Sequence, residues 1–520
     1  MEVPLSRKVR GAVGGLRTRL LKVGSAAGEA PAAPDTGWVR WREVDDWMPD
    51  RAAAENFRGL ADRLDAAGVD WWLVRGLKDG VYCIGVDQAD RAGALAAIGA
   101  LPAGQGWLVA AGGARPVAAS QVESLAGDVL HVGVPTRCRG VEYGLEYGCE
   151  LEFWKRREAG YLGPRENQAS RDLSLADMQL TETVAAGRAV RTPQVFTRRM
   201  VDDITFPIDI VYTWVDGSDP VWQAERDRAA AELVREPMHS DATDAARFRS
   251  RDELRYSLRS LAMFAPWVRR VFLVTAGHVP AWLNLDNPRL EHVEHARIFQ
   301  DPAELPTFNS RAINSYLHHI PGLAEHCIYM NDDVFFARPA RPSHFFTPSG
   351  QAKVFPSPVR RGFGEASEAQ PPHVNGSRNV RRLLEAETGV TISRVPRHTP
   401  HPQLTSVHFQ LEERFSQEYR VTRSNRFRHH TDVPADLLFH HYAQITGVGV
   451  ADFDYAEAYF SLRAKAARSR MEKFIQTRDR ATFCLNDTPT TGEGPVSDEF
   501  LHDWLEQYFP IPSEFERPGA

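Results

Sequence analysis

Cysteine is scarce in this 520-residue chain. Its five cysteines, Cys83, Cys138, Cys149, Cys327 and Cys484, are odd in number and include no C-x-x-C pair. That excludes a disulfide framework, gives no structural zinc motif and fits a reducing compartment. No apolar run reaches about 18 residues, so no transmembrane helix is expected. The start of the chain lacks a continuous apolar stretch of the secretory type. A large charge of one sign is also missing. At a net charge of −6 there is no general case for a nucleic-acid partner. What remains, 43% hydrophobic and 25% charged, is an ordinary globular composition with length for two to four domains.

The pattern along the chain divides it. Residues 1–35 form a basic tail (Arg7, Lys8, Arg10, Arg17, Arg19, Lys22) that becomes rich in Gly, Ala and Pro. It reads as a solvated segment, with weak attraction to an anionic membrane face as the sharper alternative. Residues 36–165 read as a small α/β domain. A helix over 52–67 carries Phe57, Leu60, Ala61 and Leu64 on one face, and strands follow at 69–76, 81–86 and 106–111. No phosphate loop or catalytic constellation occurs there. Residues 166–205 are polar and read as a connector.

From residue 206 the composition changes. Ile208 to Val215 is β-branched and aromatic and ends in the turn cluster Asp216-Gly217-Ser218-Asp219-Pro220. Ser250-Arg251-Asp252-Glu253 has the form of a capping box before a helix with Leu254, Leu258 and Leu261 inward. Val271 to Thr275 is the next strand, so the order predicts a parallel sheet. Asn309 or Ser310 caps another helix. The centre of the chain is then Cys327-Ile328-Tyr329-Met330-Asn331-Asp332-Asp333-Val334-Phe335-Phe336, a buried strand with two carboxylates at its carboxyl end. In open α/β sheets ligands bind at that end, and paired carboxylates there suit a hard divalent cation. Asn-Asp-Asp as a plain polar turn is the competing reading.

Residues 351–393 read as a mobile loop and insertion with a short helix at 379–387. Residues 394–520 read as mostly helical, with helices at 403–420, 434–442, 455–475 and 498–508 and a strand-like Thr482 to Asp487. Asp209 reads as a buried, hydrogen-bonded strand residue. His429, His430, His440 and His441 do not read as a metal site, because adjacent helical residues point in different directions.

Four blocks of this sequence together resemble the Stealth family of sugar-phosphate transferases. They are Ile208 to Pro220; Arg251 to Ser260, continuing through Ala265-Pro266-Trp267-Val268, Pro280 to Asn284 and Leu305 to Ser310 into the Asn-Asp-Asp strand; Val395-Pro396-Arg397-His398-Thr399-Pro400-His401 to Arg428; and Cys484-Leu485-Asn486-Asp487 with the last helix. The resemblance spans about residues 206–350 and 394–515 and leaves out the N-terminal third.

The resemblance implies an α/β fold similar to nucleotide-sugar transferases, Rossmann-like with a mostly parallel sheet, in which 206–350 is the nucleotide-sugar core and 394–520 completes the catalytic part. It implies transfer of a hexose or N-acetylhexosamine 1-phosphate from a UDP-sugar to a glycan hydroxyl with release of UMP, in capsule, exopolysaccharide or cell-wall synthesis. Mg²⁺ or Mn²⁺ is the expected cofactor, held by Asp332 and Asp333. Asp333 matches the family's active-site aspartate, His398 its essential histidine and Arg428 an active-site arginine. Asp216, Gly217 and Asp219 are expected to line the nucleotide end. One departure stands out: Asn314 occupies a position where relatives tend to carry Glu, and Asn cannot act as a base. Two alternatives follow, a catalytically weakened nucleotide-sugar or glycan-binding subunit and a plain glycosyltransferase that releases UDP. The expected location is cytoplasmic, compatible with peripheral contact at the inner membrane face and with a homo-oligomer.

Overall fold

The computed structural model describes residues 41–78, 80–232, 248–487 and 496–519. The basic tail read at 1–35 lies outside them. The chain forms two compact units. Among the described residues, the first comprises those up to Glu43, Ala52–Arg137 and Glu142–Thr197, and the second Val44–Arg51, Cys138–Val141 and those from Arg198 onward.

The first unit is built on an eight-stranded mixed sheet. Its long strand, Cys149–Arg157, lies parallel to Cys83–Asp87 and antiparallel to Val129–Gly133. Phe57, Leu60, Ala61 and Leu64, spaced as the helical pattern requires, are buried with Ile84, Val86, Val109, Leu130 and Leu151. Residues 166–197 are not an irregular connector. Asp172–Ser174 is a sheet strand, and Leu180–Ala185 pairs with Arg188–Pro193 as a hairpin. The hairpin shows the core only alternate residues, such as Val190, so its composition stays polar while its period is 2.

The second unit is organised on a five-stranded sheet. Its elements are β1 (Ile208–Thr213), α1 (Pro220–Glu232), α2 (Glu253–Phe264), β2 (Val271–Thr275), β3 (Leu290–Glu294), α3 (Ser310–Asn314), β4 (His326–Asn331), β5 (Val334–Phe336), α4 (Pro372–Thr388), β6 (His401–Leu404), α5 (Thr405–Arg414), α6 (Ser416–Ser424), α7 (Ala435–Thr446), β7 (Glu457–Ser461), α8 (Ala467–Thr477), β8 (Thr482–Asn486) and α9 (Asp498–Tyr508). The sheet order is β3-β2-β1-β4-β6. The first four strands are parallel and β6 is antiparallel to β4. This is the mostly parallel α/β sheet that the strand and helix order predicts.

Parallel strands covered on both faces are apolar throughout, and β2 is buried at every position. Val211, Phe272, Val274, Val293, Tyr316 and Ile320 make one core cluster. On α2, Leu254, Leu258 and Leu261 are buried as their spacing predicts, and so is most of the rest of the helix. Ser257 joins α2 to β1 and β5: its Oγ donates to Val334 O at 2.6 Å and lies 2.8 Å from the Tyr212 hydroxyl. The C-terminal segment clamps the other side, where Arg259 pairs with Glu516 at 2.8 Å and Glu506 at 3.0 Å.

Three local expectations change. The segment 351–393 is not simply a loop, because Ala352–Val354 and Pro356–Arg360 are strands and α4 begins at Pro372, where proline suits a first turn. Residues 457–461 are strand β7 rather than helix, paired parallel with β8. Ser250-Arg251-Asp252-Glu253 is not a capping box: α2 starts at Glu253 behind a left-handed Asp252 (φ 64°), and the Glu253 carboxylate accepts the Arg251 N–H at 2.5 Å.

Candidate active site

The sheet register brings the sequence blocks to one edge. Thr213 and Asn331 are partners at the carboxyl ends of β1 and β4. The turn Asp216–Asp219 and the pair Asp332-Asp333 therefore leave the sheet at the same end. Tyr329 is paired with His401 in β6, which runs the opposite way. His398, just before β6, is thus returned to that same edge.

Each part of the first turn has a local cause. The Asp216 carboxylate accepts from the Ser218 N–H at 2.8 Å and Ser218 Oγ at 2.6 Å, and its own N–H donates to His278 Nε2 at 3.0 Å. Asp219 caps α1 by accepting the Trp222 N–H at 2.8 Å. A Cβ on Gly217 would lie 2.0 Å from the carbonyl oxygen of Phe248, so only glycine fits.

The Asn-Asp-Asp turn carries the strongest electrostatics. Asp332 and Asp333 share their surroundings with a third carboxylate, the buried Glu253. Desolvation and then the Glu253 charge push the Asp333 pKa up to about 7, against a hydrogen bond from Cys484 that lowers it. Asp332 is raised by desolvation, then by Glu253 and Asp333. Glu253 is itself raised by desolvation, with the bond from Arg251 N–H opposing. Three crowded carboxylates ionise together only beside a positive charge. Asp333 Oδ1 is buried and has no partner. An orphaned acceptor in an all-oxygen donor set fits a hard divalent cation such as Mg²⁺ or Mn²⁺. Glu253 therefore acts on Asp332 and Asp333 through its charge, and that pair is the candidate ligand set. Beside them Arg251 pairs with Asp487 and, at 3.3 Å, with Asp498, and leaves a buried Nη1 without a partner.

The remaining expected residues surround this centre through supports. His398 is exposed, and its ring centre lies 5.0 Å from that of Tyr459. Desolvation of its inner face, then the positive charge of His401 and Arg361, lower its pKa and keep the ring neutral at pH 7. Asn314, at the end of α3, lines one small cavity with Tyr329. The Tyr329 hydroxyl donates to Asn331 Oδ1 at 2.7 Å, beside Asp332. Arg428 Nη2 donates to Ser310 Oγ at 2.6 Å, at the start of α3. The two ends of this five-residue helix, about 6 Å apart along its axis, thus hold Arg428 and Asn314. Asp432 latches the arrangement: it accepts from Asn309 Nδ2 at 3.1 Å and the His429 N–H at 2.9 Å, and pairs with Arg311 at 3.3 Å.

Asp209 is structural, as its alternation suggests. It is fully buried and accepts from Arg269 Nε and the Ala324 N–H, both at 2.8 Å. Sequence reasoning missed Glu253 and Cys484. For Glu253 the signal was present, a carboxylate in the first turn of the helix that packs under the Asn-Asp-Asp strand, but the capping pattern accounted for it. For Cys484 there was none, since the β5–β8 pairing that brings it to Asp333 is long-range.

Comparison with known proteins agrees with this geometry. All four Stealth protein conserved regions match: region 1 at residues 206–234, region 2 at 247–354, region 3 at 397–444 and region 4 at 473–520. The chain belongs to the Stealth family of phosphotransferases. It is 39% identical to exopolysaccharide phosphotransferase SCO6023 of Streptomyces coelicolor, over 89% of this chain and 82% of that protein. It is 37% identical to exopolysaccharide phosphotransferase CpsY of Mycobacterium tuberculosis, over 73% of this chain and 71% of that protein. Among solved structures, the galactosyltransferase LgtC with donor and acceptor sugar analogues gives a TM-score of 0.31 at 10% identity, covering 59% of this chain and 96% of that one. Mouse xyloside xylosyltransferase 1 gives 0.26 at 10% identity, covering 55% of this chain and all of that one. No described helix is long and apolar enough to cross a membrane.

Proposed function

We propose that this chain transfers a sugar 1-phosphate from a UDP-sugar to a glycan hydroxyl and releases UMP, in the synthesis of a surface polysaccharide. The observation that carries the reading is the pair Asp332 and Asp333, raised together by the charge of Glu253, at the same sheet edge as His398 and the Asp216–Asp219 turn. The names of its relatives support the class of chemistry.

Transfer of a sugar phosphate requires charge neutralisation at the diphosphate, a nucleophile in line with the β-phosphorus, and a proton acceptor. A divalent cation held by Asp332 and Asp333, Mg²⁺ or Mn²⁺, would supply the neutralising charge at the diphosphate. The Asp216–Asp219 turn would receive the nucleotide. Arg428, and the spare Nη1 of Arg251, would donate to phosphoryl oxygens, for which a guanidinium fork is well shaped. His398, neutral at pH 7, would take the acceptor hydroxyl proton on a ring nitrogen. The O–P bond to the acceptor forms as the bond between the β-phosphorus and the bridging oxygen breaks, and UMP leaves with that oxygen.

Asn314 favours one competing reading, a chain that binds donor and turns over slowly. Its amide can hydrogen-bond but cannot accept a proton. Incubation with a UDP-sugar panel, Mg²⁺ or Mn²⁺ and glycan acceptors, with UMP resolved from UDP, decides. UMP with a phosphorylated acceptor supports the proposal. UDP moves the reading to glycosyl transfer. Donor binding without either nucleotide, with turnover restored by Asn314→Glu, would establish the weakened form.

A further inference from the structure

We infer that His318, His319 and Glu412 form a second metal site, suited to a cation of the Zn²⁺ class and distinct from the carboxylate centre. His318 and His319 lie in the single 3₁₀ turn Leu317–His319, and Glu412 is on α5. Both imidazole Nε2 atoms converge on one oxygen, Glu412 Oε2, at 2.6 and 2.7 Å. The three donors lie within 4.8 Å of one another, the only such grouping of three or more His, Cys, Asp or Glu ligand atoms among the described residues.

The donor chemistry separates this site from the first. Two imidazoles and a carboxylate suit Zn²⁺ and its neighbours, whereas Mg²⁺ prefers oxygen alone. Metal bonds of about 2.0–2.2 Å would part the three donors by roughly half an ångström, a shift within side-chain reach. With Nε2 turned to the cation, the ring proton of each imidazole sits on Nδ1.

Two further observations argue for a ligand rather than a closed hydrogen-bond hub. His318 Nδ1 is buried without a partner, and so are both ring nitrogens of His408, a residue 4% exposed whose ring stacks 5.6 Å from that of His318. His318 and His408 also line one small cavity, together with Asn314. Buried imidazoles normally have their nitrogens bonded. The outer support of a metal ligand is present too. Arg423 Nη1 donates to the other Glu412 oxygen at 2.5 Å, and its Nη2 donates to Ser315 O at 2.6 Å. Arg423 balances Glu412 when no metal is bound, so the loaded site carries excess positive charge and binds less tightly than an all-cysteine site. Its occupant would staple the His318–His319 turn to α5, directly behind the end of α3 that carries Asn314.

The test uses the full chain, stripped with a chelator, reloaded with Zn²⁺, desalted and assayed by plasma mass spectrometry. About one Zn²⁺ per chain is expected, with a raised melting temperature. In competition with a chromophoric chelator, His319→Ala should weaken Zn²⁺ binding at least tenfold, while Asp333→Asn should leave it unchanged. Glu412→Gln should also weaken it, but it strips Arg423 of its charged partner, so His319→Ala, at a partly exposed ring, is the deciding variant. Zn²⁺ at background level in the wild type, or equal binding by wild type and His319→Ala, would overturn the inference.

Discussion

The thiol of Cys484 on β8 donates to Asp333 Oδ2 at 3.5 Å, while the next residue, Leu485, donates its N–H to the Asp333 carbonyl at 2.9 Å. The fourth conserved block thus grips the central aspartate of the second by side chain and backbone. This contact fixes one carboxylate oxygen and leaves Oδ1 for a ligand.

Asp333→Asn should abolish cation-dependent turnover while leaving the fold intact, and its stability should show the opposite sign to that loss. A carboxyl whose folded pKa is raised from 3.8 to about 7 destabilises the fold as pH climbs through that window. In metal-free buffer the variant should match the wild type near pH 4 and exceed it at pH 8 by on the order of 1–3 kcal/mol. Melting curves across pH check this. A variant less stable than wild type at pH 8 would contradict the crowding of carboxylates.

Glu253→Gln should behave as a loss of cation affinity. With its negative charge gone from beside Asp332 and Asp333, the concentration of Mg²⁺ or Mn²⁺ needed for half-maximal turnover should rise, and saturating cation should recover part of the rate. A titration of activity against cation reads this directly. An unchanged midpoint would return Glu253 to a purely structural role.

His398→Ala should lower turnover by about 10²–10⁴-fold, the range for loss of a general base. UDP-sugar affinity by calorimetry should change little. Equal losses in both would assign His398 to binding.

Asp432→Ala should be among the most destabilising single changes in the second unit. Asp432 is fully buried, and its removal leaves the buried Arg311 without its counter-charge. The cost should be about 3–5 kcal/mol. Asp432→Asn keeps most of the hydrogen bonds and should recover part of it, as chemical denaturation would measure.

Legibility in the sequence followed range. The sheet could be read because parallel buried strands such as Val271–Thr275 are continuous apolar runs between helices. The acidic turns could be read because Asp216-Gly217-Ser218-Asp219 and Asn331-Asp332-Asp333 each interrupt such a run at its end. The polar hairpin at 180–193 could not, because half of its residues face outward. Glu253 was visible but ambiguous, since its spacing from Ser250 satisfies a capping rule that the left-handed Asp252 rules out in three dimensions. His398 and Arg428 carry no local signal of chemistry. Only the resemblance singled them out, and antiparallel β6 and the Asp432 latch account for their positions.

The reversed direction of β6 has a consequence for how this architecture can vary. Between Phe336 and His401 the chain makes a long excursion through three short strands and α4. Because the Tyr329–His401 pairing sets the register, that excursion can lengthen or shorten without displacing His398. The three residues from His398 to Pro400 have no such freedom. Losing Thr399 or Pro400 would draw His398, which lies in the bend before β6, away from its place at the sheet edge. Length changes across a set of such chains should therefore collect before residue 397 and stop there.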